Sequence, residues 1–123
     1  MDDYRVLIVD DEEELVTTIA ERLQIRGIQT DTATDGETAL KMIDENPPQV
    51  VVLDVMMPGI GGMEILQRMK AQNLQIPVIL LTGYGSTEQG TEGMELGAFD
   101  YLMKPCDLNN LISKIQEAVR INS

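Results

Sequence analysis

Three short runs of apolar, mostly β-branched residues constrain the fold of this chain more than any other feature. They lie at residues 6–9, 50–53 and 78–81. Each run is almost continuously apolar, which is typical of a strand buried on both faces of a parallel sheet. A weaker, alternating run at residues 28–33 predicts an edge strand, and residues 98–102 predict a fifth strand.

Segments with helical spacing of apolar residues alternate with these runs. The last segment has the clearest apolar stripe, and Asp107 precedes it as a candidate N-cap. The segment at residues 86–96 is the weakest, because Gly90 and Gly93 each cost about 1 kcal/mol of helix stability relative to Ala. The apolar residues that mark the four clearer segments are Leu15, Ile19, Leu23 and Ile25, then Ala39, Leu40 and Ile43, then Met63, Ile65, Leu66 and Met69, and finally Leu108, Leu111, Ile112, Ile115, Ala118 and Val119.

Strands that alternate with helices of this length predict right-handed crossovers and a parallel sheet covered on both faces. The predicted fold class is therefore α/β, with a five-stranded parallel sheet and helices on both faces in a (βα)5 three-layer sandwich. A length of 123 residues suits one hydrophobic core, so we expect residues 1–123 to form a single domain. In such sheets, ligands bind beyond the carboxyl ends of the strands, and functional residues are expected there.

The composition excludes several kinds of site. The chain has no His and one Cys, Cys106, so it lacks the residues for a His- or Cys-ligated metal centre and for a Ser-His-Asp or Cys-His catalytic group. Any metal must be held by oxygen atoms. A net charge of −12 repels phosphate backbones and anionic lipid, and no apolar run is long enough to span a bilayer. We therefore expect no direct nucleic acid binding, no membrane association and a cytoplasmic location.

Charged and polar residues follow four of the predicted strands. Asp10 and Asp11 follow the first run, Asp54 the third, Thr82 the fourth and Lys104 the fifth. The carboxyl ends of parallel strands lie on one edge, so the three carboxylates are expected to converge, and two charges about 4 Å apart repel by about 4 kcal/mol at an effective dielectric of about 20. We expect the ammonium of Lys104 and a hard divalent cation with oxygen ligands to balance this charge.

Four motifs in chain order resemble the receiver domain of bacterial two-component response regulators. They are Val-Asp-Asp-Glu at residues 9–12, Asp-Val-Met-Met-Pro-Gly at residues 54–59, Thr82, and Tyr-Leu-Met-Lys-Pro at residues 101–105. The resemblance extends over essentially the whole chain. It implies a flavodoxin-like fold and a phosphorylation-dependent signalling switch rather than an enzyme, with magnesium-dependent self-phosphorylation and self-dephosphorylation chemistry.

The resemblance implies a role for each residue of an acceptor and metal site. Asp54 is implied to accept a phosphoryl group from a sensor histidine kinase or a phosphotransfer protein. Asp11 is implied to bind Mg²⁺ or Mn²⁺ directly and Asp10 to bind it through a water molecule. Asp54 itself and the backbone carbonyl of Met56 are the other implied ligands, and no organic cofactor is implied.

A second group of residues is implied to respond to phosphorylation. Lys104 is implied to pair with a phosphoryl oxygen, with a cis bond to Pro105 that aims its side chain at the site. The hydroxyl of Thr82 is implied to move toward another phosphoryl oxygen, and Tyr101 to turn into the space that this movement leaves. Thr82 and Tyr101 are therefore the predicted switch residues, and we expect the weak helix at residues 86–96 to be the mobile element.

Taken alone, each of these residues has a simpler explanation. Asp10 or Asp11 could cap the next helix, and Lys104 with Pro105 could form only a turn. A haloacid-dehalogenase-type phosphotransferase is excluded because Met56 stands where its second Asp would be. A flavodoxin-like flavin carrier is disfavoured because the acids at residues 10–12 would repel the flavin phosphate. The alternative for the whole chain is a receiver-like protein interaction module that works without phosphorylation.

Two further expectations concern the signal after phosphorylation. The chain is expected to act on an unidentified downstream protein target, as a stand-alone receiver, or on a fused output domain, as part of a longer protein. Met56 and Tyr84 follow the acceptor and hydroxyl positions by two residues. Neither is suited to orient a water molecule: Met56 is apolar, and Tyr84 is bulky enough to shield a phosphoryl group. The resemblance therefore predicts slow self-dephosphorylation.

Overall fold

A computed structural model describes residues 4–83 and 86–122, in which strands and helices alternate along the chain. The strands are β1 (Arg5–Val9), β2 (Gln29–Ala33), β3 (Val50–Asp54), β4 (Val78–Thr82) and β5 (Asp100–Met103). The helices are α1 (Glu13–Ile25), α2 (Gly36–Glu45), α3 (Gly62–Ala71), α4 (Thr87–Glu95) and α5 (Leu108–Asn122). None of these helices is both long and apolar enough to cross a bilayer.

The strands form one parallel sheet in the order β2-β1-β3-β4-β5. The apolar runs of β1, β3 and β4 therefore occupy the centre, and every residue of β3 and β4 is buried. The alternating β2 is an edge strand, as its pattern predicts. The predicted α/β fold with five parallel strands is confirmed. The central strands are apolar throughout because both of their faces are buried.

Two apolar cores lie on opposite faces of the sheet. Val6 and Ile8 of β1 pack in the core that contains buried residues of α1 and α5. Leu7 and Val9 pack in the other core, with buried residues of α2 and α3. Full burial of one such side chain contributes about 1.5–3 kcal/mol, and the alternation along β1 therefore holds the three layers together.

Several element boundaries differ from the sequence expectations. Asp54 and Thr82 are the last residues of β3 and β4 rather than the residues after them, and β5 begins at Asp100 rather than at residue 98. Ile25 was predicted to lie on the apolar face of α1, but it is 79% exposed. It is the last residue of α1, and the chain turns away at Gly27, where φ is +81°.

The helix α4 contains two glycines because other residues approach its backbone closely. A Cβ atom on Gly90 would meet the ring of Tyr101, and a Cβ atom on Gly93 would meet the Leu80 side chain. Both glycines are buried. Their cost in helix propensity is therefore accompanied by tight packing of α4 against β4 and β5, which the sequence did not indicate.

Candidate phosphoryl-acceptor and metal site

The site lies at the carboxyl edge of the sheet, where the strand order reverses. β1 pairs with β2 on one side and with β3 on the other. The loops that follow β1 and β3 therefore begin side by side at this edge. Asp10 directly follows β1 and Asp54 ends β3. Ligand sites of parallel α/β sheets are found at such a position.

Three carboxylates converge here, as the sequence predicts. One carboxylate oxygen from each of Asp10, Asp11 and Asp54 lies within 4.8 Å of the others. Asp10 is fully buried and Asp54 is 2% exposed, whereas Asp11 is exposed. Two of the three carboxylates are therefore shielded from water, and the cluster is open to solvent on the side of Asp11.

Backbone amides hold the two buried carboxylates in position. The Glu12 amide donates to Asp10 Oδ1 at 3.0 Å, and the Met56 amide donates to Asp54 Oδ1 at 3.2 Å. Each carboxylate thus accepts a hydrogen bond from the residue two positions along the chain. The alternative that Asp10 caps α1 is not supported, because the N-cap residue is Glu12 and Asp10 accepts from the amide of Glu12 rather than from an amide inside the helix. The other oxygen of Asp10 contacts Lys104 instead.

Lys104 brings the compensating positive charge into the cluster. Its Nζ atom lies 2.7 Å from Asp10 Oδ2, 3.1 Å from Glu12 Oε1 and 3.4 Å from Asp54 Oδ1. The Lys104 amide donates to the carbonyl of Thr82 at 3.0 Å, which ties the end of β5 to the end of β4. The bond from Lys104 to Pro105 is cis, as expected.

The charges in this cluster alter two pKa values. Burial raises the pKa of Asp54 to about 6, and repulsion by Asp10 adds to the rise, although Lys104 and the Met56 amide act against it. Burial by itself lowers the pKa of Lys104, but its hydrogen bonds with Asp10 and Glu12 and the charge of Asp54 raise it above the ordinary value. Near neutral pH, Lys104 is therefore charged and most of Asp54 is ionised.

Thr82 contributes a buried polar atom to the same edge. The residue is fully buried, and its Oγ1 atom has no hydrogen-bond partner among residues 4–83 and 86–122. Leaving a buried hydroxyl without a partner costs about 1–3 kcal/mol, so such a group calls for a specific explanation.

The residues suit a magnesium ion. Carboxylate oxygens are ligands that Mg²⁺ prefers, and it needs only one or two of them when water and phosphoryl oxygens complete its octahedron. Asp10, Asp11 and Asp54 offer these oxygens, and the three carboxylates carry more negative charge than Lys104 alone balances. Met56, whose carbonyl the resemblance implies as a ligand, directly precedes the buried Met57, and its own side chain is 62% exposed.

Tyr101 lies on the same face of the sheet as Thr82. Tyr101 pairs in register with Leu80, and Thr82 pairs with Met103, so the two side chains lie on one side of neighbouring strands. The Tyr101 ring is partly buried and packs beside Gly90 of α4. The structure thus joins the predicted switch residue to α4 through a contact that only glycine permits.

Two residues at this edge were missed in the sequence. Glu12 belongs to the motif at residues 9–12 but was given no role in the site, whereas its side chain reaches Lys104, which is 92 residues away in sequence. Gln89 of α4 accepts a hydrogen bond from the Gly83 amide and contacts the Met56 sulfur. No motif marks Gln89. Tyr84, which was expected to shield the site, lies outside the described residues.

A cavity of about 400 Å³ between α1 and α5 adjoins Lys104. Apolar side chains such as Leu15 and Leu108 line it, together with Cys106. Burial raises the pKa of the Cys106 thiol. The thiol is therefore mostly protonated at neutral pH and poorly nucleophilic.

Comparison with known proteins connects this geometry to one family. A sequence model of the response regulator receiver domain matches residues 6–116. The regulatory protein AtoC of Escherichia coli is 37% identical over 119 residues, which cover 97% of this chain and 26% of AtoC. The alkaline phosphatase synthesis transcriptional regulatory protein PhoP of Bacillus subtilis is 36% identical over 94% of this chain and 48% of PhoP. The chain thus spans a quarter to a half of these relatives.

Solved structures agree with this comparison. The receiver domain of the Francisella response regulator 1452 has a TM-score of 0.93 and 35% identity, covering 98% of this chain and all of that one. The FixJ-N crystal structure has a TM-score of 0.91 and 32% identity, covering 98% of this chain and 96% of that one.

Proposed function

The chain belongs to the response regulator receiver domain family, a phosphorylation-dependent signalling switch of two-component systems, and on this premise we propose that Asp54 accepts the phosphoryl group. The donor is a sensor histidine kinase or a phosphotransfer protein. The observation that carries this assignment is the nearly buried Asp54 carboxylate, which lies beside two further carboxylates and 3.4 Å from the Lys104 ammonium. A merely structural ion pair needs one carboxylate, and this cluster has three.

The transfer step follows from the positions of these groups. An ionised Asp54 oxygen attacks the phosphorus of a phosphohistidine, the new O–P bond forms, and the P–N bond breaks with its electron pair passing to the imidazole nitrogen. With a pKa of about 6, Asp54 is largely in the ionised, nucleophilic form at neutral pH. Lys104, held by Asp10 and Glu12, is ready to pair with a phosphoryl oxygen.

A bound metal ion would complete the charge balance. Asp10, Asp11, Asp54 and the carbonyl of Met56 would hold Mg²⁺ or Mn²⁺, which neutralises the charge of the transferred group when bound. The same residues would support self-phosphorylation from small donors and self-dephosphorylation. Family membership supports a cytoplasmic location for this chemistry.

Thr82 and Tyr101 would convert phosphorylation into a change of surface. The Thr82 hydroxyl lacks a partner among the described residues, so a phosphoryl oxygen would offer it an acceptor. Movement of Thr82 would free space on the face of the sheet that Tyr101 shares. The altered surface would then act on a downstream protein target or a fused output domain, with no direct contact to nucleic acid or membrane.

Acetyl phosphate tests this function directly. Incubation with Mg²⁺ should raise the intact mass by about 80 Da, and chelator should prevent it. Asp54→Asn should abolish the mass change. Asp44→Asn is the matched control, because Asp44 is exposed on α2, and it should be labelled like the parent. A parent chain that stays unlabelled would favour the phosphorylation-independent interaction module instead.

A further inference from the structure

One side chain of α4 bridges the two loops that border the acceptor site. Gln89 Oε1 accepts a hydrogen bond from the Gly83 amide at 2.8 Å, and Gln89 Nε2 lies 3.0 Å from the Met56 sulfur. Gly83 directly follows Thr82, and Met56 lies two residues after Asp54. Gln89 therefore connects the helix to both chain segments that leave the acceptor strands.

The same segment is organised around Gln89 by a short network. The Gln89 amide donates to the Ser86 hydroxyl at 3.3 Å, which caps α4, and the Ser86 amide donates to the Gly83 carbonyl at 3.1 Å. Gly83 is thus bonded through both its amide and its carbonyl to residues at the start of α4. Both polar backbone groups of Gly83 are therefore tied to the first turn of the helix.

Two adjacent hydrogen-bond donors at the end of β4 differ in whether they have an acceptor. The Thr82 hydroxyl has no partner within the described chain, whereas the Gly83 amide is engaged by Gln89. A phosphoryl group on Asp54 would introduce charged acceptor oxygens near this edge, and charged acceptors form stronger hydrogen bonds than a neutral side-chain amide. The Gln89 amide would then compete with the phosphoryl group for the Gly83 donor.

We propose that Gln89 is a latch that holds Gly83, the residue after β4, in its resting position and must release the Gly83 amide when the site is phosphorylated. The latch rests on the proposed phosphorylation of Asp54. Gln89 is a positioning residue in this scheme, because it acts through Gly83. Its bond to Gly83 sets how strongly the resting state is favoured.

The resting contact is tested first, without any phosphoryl group. Gln89→Ala should speed hydrogen exchange of the Gly83 amide in chelator about five-fold, the effect of losing one neutral hydrogen bond. Glu88→Ala is the matched control, because Glu88 is the exposed neighbour in the same helical turn, and it should leave this exchange unchanged. Gln89→Glu keeps an acceptor for the amide and should slow the exchange. Unchanged exchange in Gln89→Ala would overturn the latch.

The switching role is tested with beryllofluoride and Mg²⁺ as a phosphoryl analogue. Gln89→Ala should bind the analogue about three- to ten-fold more tightly than the parent, since no hydrogen bond has to be given up, and Glu88→Ala should bind it as the parent does. Equal or weaker binding by Gln89→Ala, with normal binding by the parent, would overturn the latch and leave the proposed function standing. A parent that binds no analogue would overturn both.

Discussion

Removing the charge of Asp54 is expected to change how the stability of the chain depends on pH. Asp54→Asn replaces a carboxylate that is 2% exposed by a neutral group of the same shape. Burial, and then repulsion by Asp10, raise the pKa of Asp54 from 3.8 to about 6. The folded chain therefore holds the Asp54 proton more tightly than the unfolded chain does.

The sign and size of the effect follow from this difference. As the pH rises above 3.8, the unfolded chain loses its proton first, so ionisation of Asp54 progressively destabilises the folded state, and the penalty is complete above about pH 6. A difference of two pKa units corresponds to about 3 kcal/mol. Roughly half of this penalty is present by pH 5, so the parent should lose about 1.4 kcal/mol relative to Asp54→Asn between pH 5 and pH 8.

Urea unfolding in chelator at several pH values measures this difference. Titrations of groups remote from the cluster are shared by parent and variant and cancel in the comparison, and Lys104 is charged throughout the range because its pKa is raised. Any loss of the contact between Lys104 and the substituted side chain is therefore a constant offset. Asp44→Asn, an exposed change, should show the same pH dependence as the parent.

One result would refute this reasoning. If the difference between the parent and Asp54→Asn stays constant from pH 5 to pH 8, the Asp54 carboxylate is not held at a raised pKa, and the electrostatic picture of the cluster is wrong. A second comparison uses Mg²⁺, which should stabilise the parent more than the variant, because the variant has lost a charged ligand.

Other perturbations test separate parts of the molecule. Asp11→Asn should weaken Mg²⁺ binding measured by calorimetry and raise the melting temperature in chelator by relieving repulsion, and a variant less stable than the parent in chelator would count against the cluster. Gly90→Ala should lower the free energy of unfolding despite the better helix propensity of Ala, because its Cβ would displace the Tyr101 ring, and a more stable variant would contradict the contact. Hydrogen exchange should be faster in α4 than in α5, and exchange in α4 should slow when a phosphoryl analogue and Mg²⁺ bind. Unchanged exchange in α4 would show that the switch lies elsewhere. Met56→Glu should speed phosphate release from the labelled chain with excess Mg²⁺, and an equal or slower rate would argue against shielding by the apolar side chain.

The site was predictable to the extent that it follows strand ends. The acids at residues 10, 11 and 54, the hydroxyl of Thr82 and the ammonium of Lys104 all follow from the rule that parallel strands end at one edge. The rule does not predict which of these side chains are buried. The raised pKa of Asp54 depends on the layers packed around it, which no local pattern reveals.

Local periodicity by itself determined the architecture. Continuous apolar runs and helical spacing depend on near neighbours in the chain, so they predicted the strands, the helices and the edge position of β2. Only the tertiary structure decided which distant side chains meet. Glu12 reaches Lys104 across 92 residues, Gln89 reaches Met56 across 33, and the ring of Tyr101 fills the space above Gly90. These contacts depend on the sheet order and on how each helix packs, and the local sequence around one residue does not indicate its distant partner.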